Sequence, residues 1–259
     1  MSLAVTVVTP EGIIQAADSR VSIPFNITDG VVTYSHLDNA TKLLTFDAPH
    51  SNISVTTYGA GTIGARTAHS FLKELQEYLP PQQITVKKFA NQLQKFYKEK
   101  WDSEEDTNQD IPMIFQVAGI NRSQQFGEVY IVSVPGDDPP LKVVADGEFS
   151  LYYGGDKSVV ERLIQGRDLR IDNLILQDAS LNDTHDKLRI IFNDVATRHL
   201  LPLGAYALQD AINLARFLIE TTIKMQELSL NESSVGGAID ICCITKSDGC
   251  ITISKKKVY

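Results

Sequence analysis

The feature that most constrains this chain is the grouping of its periodicities: strand-like runs and helical-period segments each come in blocks and do not alternate one by one. Leu3 to Val8 and Ile13 to Ala17 are short apolar or β-branched runs flanking Thr9-Pro10-Glu11-Gly12, which is turn chemistry, so they predict a hairpin. Lys42 to Phe46 and Ile53 to Tyr58 predict two further strands. After Gly59-Ala60-Gly61 the period changes, and Ile63 to Leu79 carries Thr67, Phe71, Leu72, Leu75 and Tyr78 at mostly helical spacing. A second helix follows, with Thr85 as its cap and Val86, Phe89, Ala90, Leu93, Phe96, Tyr97 and Trp101 as its apolar stripe.

Beyond the polar loop Asp102 to Asp110, strands are predicted at Met113 to Ile120, Glu128 to Val134, Leu141 to Val144 and Phe149 to Tyr153. Helices return at Lys157 to Ile164, His185 to Leu200 and Leu208 to Leu228. Ala238 to Ile244 and Cys250 to Ser254 close the chain around the turn Lys246-Ser247-Asp248-Gly249. A doubly wound βαβ sheet needs single helices between single strands. This order instead favours two packed antiparallel sheets with helices outside them.

The 259 residues, 43% hydrophobic, suffice for one large core, and no long Pro, Gly or Ser linker divides the chain, so a single domain over 1–259 is expected. A net charge of -8 argues against a basic nucleic-acid footprint, and no apolar run approaches a bilayer span. Met1-Ser2-Leu3-Ala4-Val5 lacks the charged and apolar regions of a secretory signal, which points to the cytoplasm. Cys242, Cys243 and Cys250 form neither a CxxC pair nor a cluster with histidine and read as core thiols. The five histidines are scattered, so no metal or other cofactor is expected. Gly59-x-Gly61-x-x-Gly64 matches a dinucleotide fingerprint as text, but the next element is another helix, with no βαβ return.

One segment carries a family resemblance. Gly12-Ile13-Ile14-Gln15-Ala16-Ala17-Asp18-Ser19-Arg20 resembles a block of the proteasome β-type subunits, members of the N-terminal-nucleophile hydrolase superfamily. In that family the aspartate lies sixteen residues after a catalytic N-terminal threonine, and an ungapped count back from Asp18 reaches Ser2. Lys42-Leu43-Leu44 is similar to the segment bearing the catalytic lysine, Tyr58-Gly59-Ala60-Gly61 to the oxyanion turn, and Ser234-Val235-Gly236-Gly237 to a Ser-Gly-Gly block. The resemblance implies a four-layer αββα sandwich, with two antiparallel sheets between helical layers. It also implies a homo-oligomeric ring or barrel acting on a peptide or protein substrate, without nucleic acid or membrane.

By that resemblance the catalytic residues are Ser2, Asp18 and Lys42, and the oxyanion donors are the amides of Ala60 and Gly61. Arg20, Gly155, Glu232 and Val235 occupy supporting positions. Once Met1 is removed, Ser2 combines a hydroxyl with an α-amine of intrinsic pKa roughly 7.7 to 8.0, so nucleophile and base are one residue. The pattern also departs from the family: serine replaces threonine, Glu232 stands for an aspartate, Val235 for a serine, and Gly155 for a residue bearing a supporting hydroxyl. Two readings follow, an amide-bond hydrolase, most simply a peptidase, and a catalytically silent scaffold. A non-proteolytic amidase is a third, because fold does not fix substrate.

Overall fold

The computed structural model describes residues 2–28, 31–104, 111–166, 168–177, 184, 186–188, 190, 201–230 and 233–256. The chain divides into two compact units, Met1–Gly155 with Leu203–Tyr259, and Asp156–Pro202. The first unit holds every strand found among the described residues.

The predicted N-terminal hairpin is present as β1 (Leu3–Val8) and β2 (Ile13–Ala17), paired so that Thr6 faces Gln15 and Ala4 faces Ala17. Every residue of both strands is buried, which is why their sequence runs apolar instead of alternating. A second hairpin, β3 (Val21–Thr28) and β4 (Val31–Leu37), forms a two-stranded sheet of its own. The third sheet is a meander of β5 (Leu43–Thr45), β6 (Ile53–Gly59), β7 (Met113–Gly119), β8 (Glu128–Val134) and β9 (Leu141–Lys142). The first sheet is completed by β10 (Ser150–Gly155), β11 (Asp240–Thr245) and β12 (Gly249–Ser254) in the order β10-β1-β2-β11-β12, all antiparallel.

The two five-stranded sheets meet face to face. Between them runs a polar seam. Thr6 Oγ1 donates to Gln116 Oε1 at 2.7 Å, Gln15 Nε2 donates to Thr6 Oγ1 at 3.1 Å, and Ser54 Oγ donates to Gln15 Oε1 at 2.6 Å. The buried Cys242 thiol extends the chain to Ser54 Oγ at 3.2 Å.

Helix α1 (Leu72–Tyr78) and helix α2 (Val86–Asp102) bury their apolar faces with the five-stranded sheet that begins at β5. Thr85 caps α2 by accepting the Lys88 N–H, and all seven stripe residues from Val86 to Trp101 are buried. Phe89, Phe96, Tyr97 and Phe115 interlock edge-to-face or tilted with their neighbours. The helix expected from Ile63 starts later, because Gly64 sits at φ +55 and the chain makes only a 3-10 turn at Ala68–Phe71 before α1. In the Asp156–Pro202 unit, α3 (Ser158–Gln165) ends at Gly166 in the left-handed conformation, and α4 (Leu169–Gln177) follows. The helix expected at His185 to Leu200 falls largely outside the described residues. Helix α5 (Leu208–Glu227) crosses β1, β2 and β11.

The four-layer αββα expectation is corrected here. Among the described residues there are three antiparallel sheets of twelve strands and five α-helices, and those helices do not form two layers enclosing a pair of sheets. Two causes are visible. Val21–Thr28 and Val31–Leu37, which sequence periodicity left unassigned, pair with each other into a separate ribbon. Helices α3 and α4 belong to the second compact unit, so α5 is the helix found across β1, β2 and β11.

Candidate functional site

The hairpin register builds the site. Because Ala4 faces Ala17, Asp18 emerges from β2 beside the start of β1, and its Oδ1 accepts the Leu3 N–H at 3.0 Å. The same oxygen accepts Lys42 Nζ at 2.8 Å. Asp18 Oδ2 accepts the backbone N–H of Arg20 at 3.1 Å and of Gly236 at 3.0 Å. This carboxylate is fully buried and accepts four hydrogen bonds. One side chain thereby ties together the N-terminal strand, the residue before β5 and the segment leading to β11.

Lys42 precedes β5, where its own carbonyl accepts the Thr57 N–H at 2.9 Å. Besides Asp18, its ammonium donates to the Arg20 carbonyl. An ammonium carries three donors, so one N–H remains. Burial pushes the Lys42 pKa below the ordinary lysine value, and the charge and hydrogen bond of Asp18 oppose that shift.

Ser2, Lys42, Tyr58, Ala60 and Gly61 line one cavity of about 10 Å³, space for a single small group. Ser2 is 6% exposed. The two expected oxyanion donors differ: the Ala60 N–H donates to Pro112 O at 3.0 Å, whereas among the described residues the Gly61 N–H has no acceptor. Gly59 at φ +88 makes the turn that presents them.

The supporting positions separate. Arg20 holds Asp38 through Nε at 2.6 Å and Nη2 at 2.8 Å, and its Nη1 donates to Ser233 Oγ at 2.6 Å. This bidentate pair holds the Asp38 carboxyl below the usual range. Gly155 pairs with Leu3 at φ +98, and a Cβ there would overlap the Ser2 carbonyl oxygen, so the position requires glycine. Val235 is buried and contributes its amide, which donates to Gln226 Oε1 at 2.8 Å. Glu232 lies outside the described residues. Sequence reasoning missed Asp38 and Ser233, whose partner Arg20 is distant in the chain, and nothing in their local pattern signals the pairing.

No protein-family model and no curated protein matches the chain. Among solved structures, Anbu (ancestral beta-subunit) from Yersinia bercovieri superposes with a TM-score of 0.57 at 15% identity, covering 98% of this chain and 87% of that one. The fold is similar to that of Anbu. Anbu from Hyphomicrobium sp. strain MC1 gives a TM-score of 0.55 at 14% identity, covering 97% of this chain and 87% of that chain. The resemblance to a proteasome β-type subunit is corrected accordingly: it rests on short motifs that no family model supports, and these two similar structures are Anbu proteins. Identities of this size establish the fold alone. No helix among the described residues is long and apolar enough to cross a membrane.

Proposed function

We propose that this Anbu-like chain is an amide-bond hydrolase in which Ser2, exposed by removal of Met1, is the nucleophile and its own α-amine the general base. The observation that supports this most is the shared cavity of Ser2, Lys42 and Gly61, with Asp18 holding both Lys42 and the Leu3 N–H. In this reading the α-amine takes the hydroxyl proton as Ser2 Oγ attacks the amide carbonyl. The Lys42 ammonium favours the developing alkoxide, and the Gly61 N–H donates to the tetrahedral oxyanion, a contribution typically about 3 to 4 kcal/mol per donor. The α-amine then returns the proton to the leaving amine, and water releases the acyl group from Ser2. The proposed substrate is a peptide or protein, and the proposed assembly is a homo-oligomeric ring or barrel.

A catalytically silent scaffold is the second reading, favoured by the absence of a hydroxyl at both Gly155 and Val235. Intact mass combined with a peptide epoxyketone separates the two, because that warhead needs a hydroxyl and a free amine on one residue. Loss of methionine and an adduct absent from Ser2→Ala supports the hydrolase. A retained Met1 with no adduct supports the scaffold.

A further inference from the structure

The chain's three cysteines fall on two neighbouring strands, and the strand register sorts them. Cys242 stands opposite Gln15 and Cys250 opposite Ile244, two positions along on the same face of the sheet. That face looks into the polar seam between the two five-stranded sheets, where Gln15 and Cys242 both meet Ser54. Cys243 stands opposite Ile14, and alternation along the strand turns it to the other face.

Cys242 is fully buried and donates to Ser54 Oγ at 3.2 Å. Cys250 is partly exposed, and its sulfur lies within hydrogen-bonding reach of both Cys242 and Ser54. The seam therefore ends in two thiols around one hydroxyl, one open to solvent and one sealed behind it. They are also unequal as acids. Contact with the Cys242 thiol, and then with Ser54, holds the Cys250 pKa below the ordinary thiol value against the opposing effect of burial. The same contact, together with burial, pushes Cys242 up, and burial pushes Cys243 up to about 11. The accessible thiol with the larger thiolate fraction is the one that meets an electrophile first.

We propose that Cys250 and Cys242 form a reversible disulfide on exposure to a peroxide, with Cys250 as the reacting thiol and Cys242 as the resolving one. The Cys250 thiolate attacks one oxygen of hydrogen peroxide and the O–O bond breaks. The departing hydroxide takes up the proton that Cys250 gave and leaves as water, and Cys250 becomes a sulfenic acid. The Cys242 sulfur then attacks the Cys250 sulfur, so that an S–S bond forms as the S–O bond breaks. The Cys242 proton leaves with the hydroxyl as a second water, and two electrons have passed from the sulfurs to the peroxide. Diagonal positions on paired strands have Cα atoms roughly 7 to 8 Å apart, against roughly 4.4 to 6.8 Å in a disulfide, so closure draws the strands together. Among the described residues β12 is an edge strand, and it yields more readily than β11, which is held on both sides. A bond closed under that strain is readily reduced, which suits a reversible modification better than a permanent staple. This site does not depend on Ser2 acting as a nucleophile.

The test uses the full chain and its Cys243→Ala variant, reduced, freed of reductant, treated with hydrogen peroxide and then alkylated with N-ethylmaleimide in denaturant. Trypsin cleaves after Lys246, between the two cysteines, so their peptides stay joined only through a disulfide. A joined pair that dithiothreitol separates is expected, with Cys250 consumed at least tenfold faster than Cys243 in the parent chain. In Cys242→Ser, dimedone should trap Cys250 as a sulfenic acid. In Cys250→Ser, retaining the parent melting temperature, oxidation of Cys242 should slow at least tenfold. The inference is overturned if peroxide leaves both thiols open to alkylation, or if Cys250 joins instead to Cys243 or to a second copy of the chain. Oxidation of Cys242 that is as fast without Cys250 overturns it as well.

Discussion

The molecule has two interiors that face opposite sides of the same sheet. Beneath α2 the packing is apolar and aromatic, with Phe89, Leu93, Tyr97 and Phe115 fully buried. Between the two five-stranded sheets, Thr6, Gln15, Ser54 and Gln116 are equally buried but joined by hydrogen bonds, and the Asp18–Lys42 ion pair lies at the first sheet's edge of that interior. The apolar interior gains stability from area and shape. The polar one gains specificity, since a one-residue slip of β1 against β2 would strand Thr6 and Gln15 without partners. The buried Asp18–Lys42 pair is likewise held by directional bonds, which packing alone would not supply.

Four measurements sharpen or break that contrast. The largest effect is expected for Phe89→Ala, about 3 to 5 kcal/mol lost in urea unfolding, because its ring contacts Phe46 and His50 in a dense region. A loss below 1 kcal/mol would mean that the aromatic layer is loosely packed. Lys42→Met should cost a similar 3 to 5 kcal/mol by leaving Asp18 buried without its counter-charge, and Asp18→Asn in the same chain should restore much of it. If the double variant is no better than the single one, the pair is not the coupled unit described here.

Gln116→Leu should cost less, about 1 to 3 kcal/mol, by removing the acceptor of the Thr6 hydroxyl. A neutral result would show that the seam tolerates apolar filling. The smallest effect concerns Asp38, whose side chain is partly exposed. Its carboxyl is held low by the Arg20 hydrogen bonds, so the stability it contributes is present above the unfolded carboxylate pKa and is lost as pH falls through the lower folded value. Melting curves from pH 5 down to 2 should therefore fall less steeply for Asp38→Asn than for the parent chain. Parallel curves would contradict the assigned coupling.

The legibility of the chain follows the same division. The α2 stripe and the β1–β2 hairpin could be read directly, because burying one helical face or a whole strand leaves a periodic or continuous apolar trace. The register of β1 against β2, local to a short hairpin, sets Asp18 against Leu3, the residue after Ser2. Residues Val21–Leu37 were not legible as a ribbon, and neither was the late start of α1, which depends on the backbone conformation at Gly64. The two oxyanion candidates looked alike as neighbouring small residues until Pro112, far along the chain, was seen to occupy the Ala60 amide.

By itself, then, the sequence determined the β1–β2 hairpin, the strands from Leu43 onward and the long helices, together with the faces they bury. Tertiary structure alone decided the three-sheet arrangement, the glycine demanded at Gly155, the Arg20–Asp38–Ser233 contacts and the meeting of Cys242 with Cys250 beside Ser54. The physical reason is range. Periodicity records what each segment buries against its immediate surroundings, while hydrogen-bond saturation and steric closeness depend on atoms that arrive from distant parts of the chain.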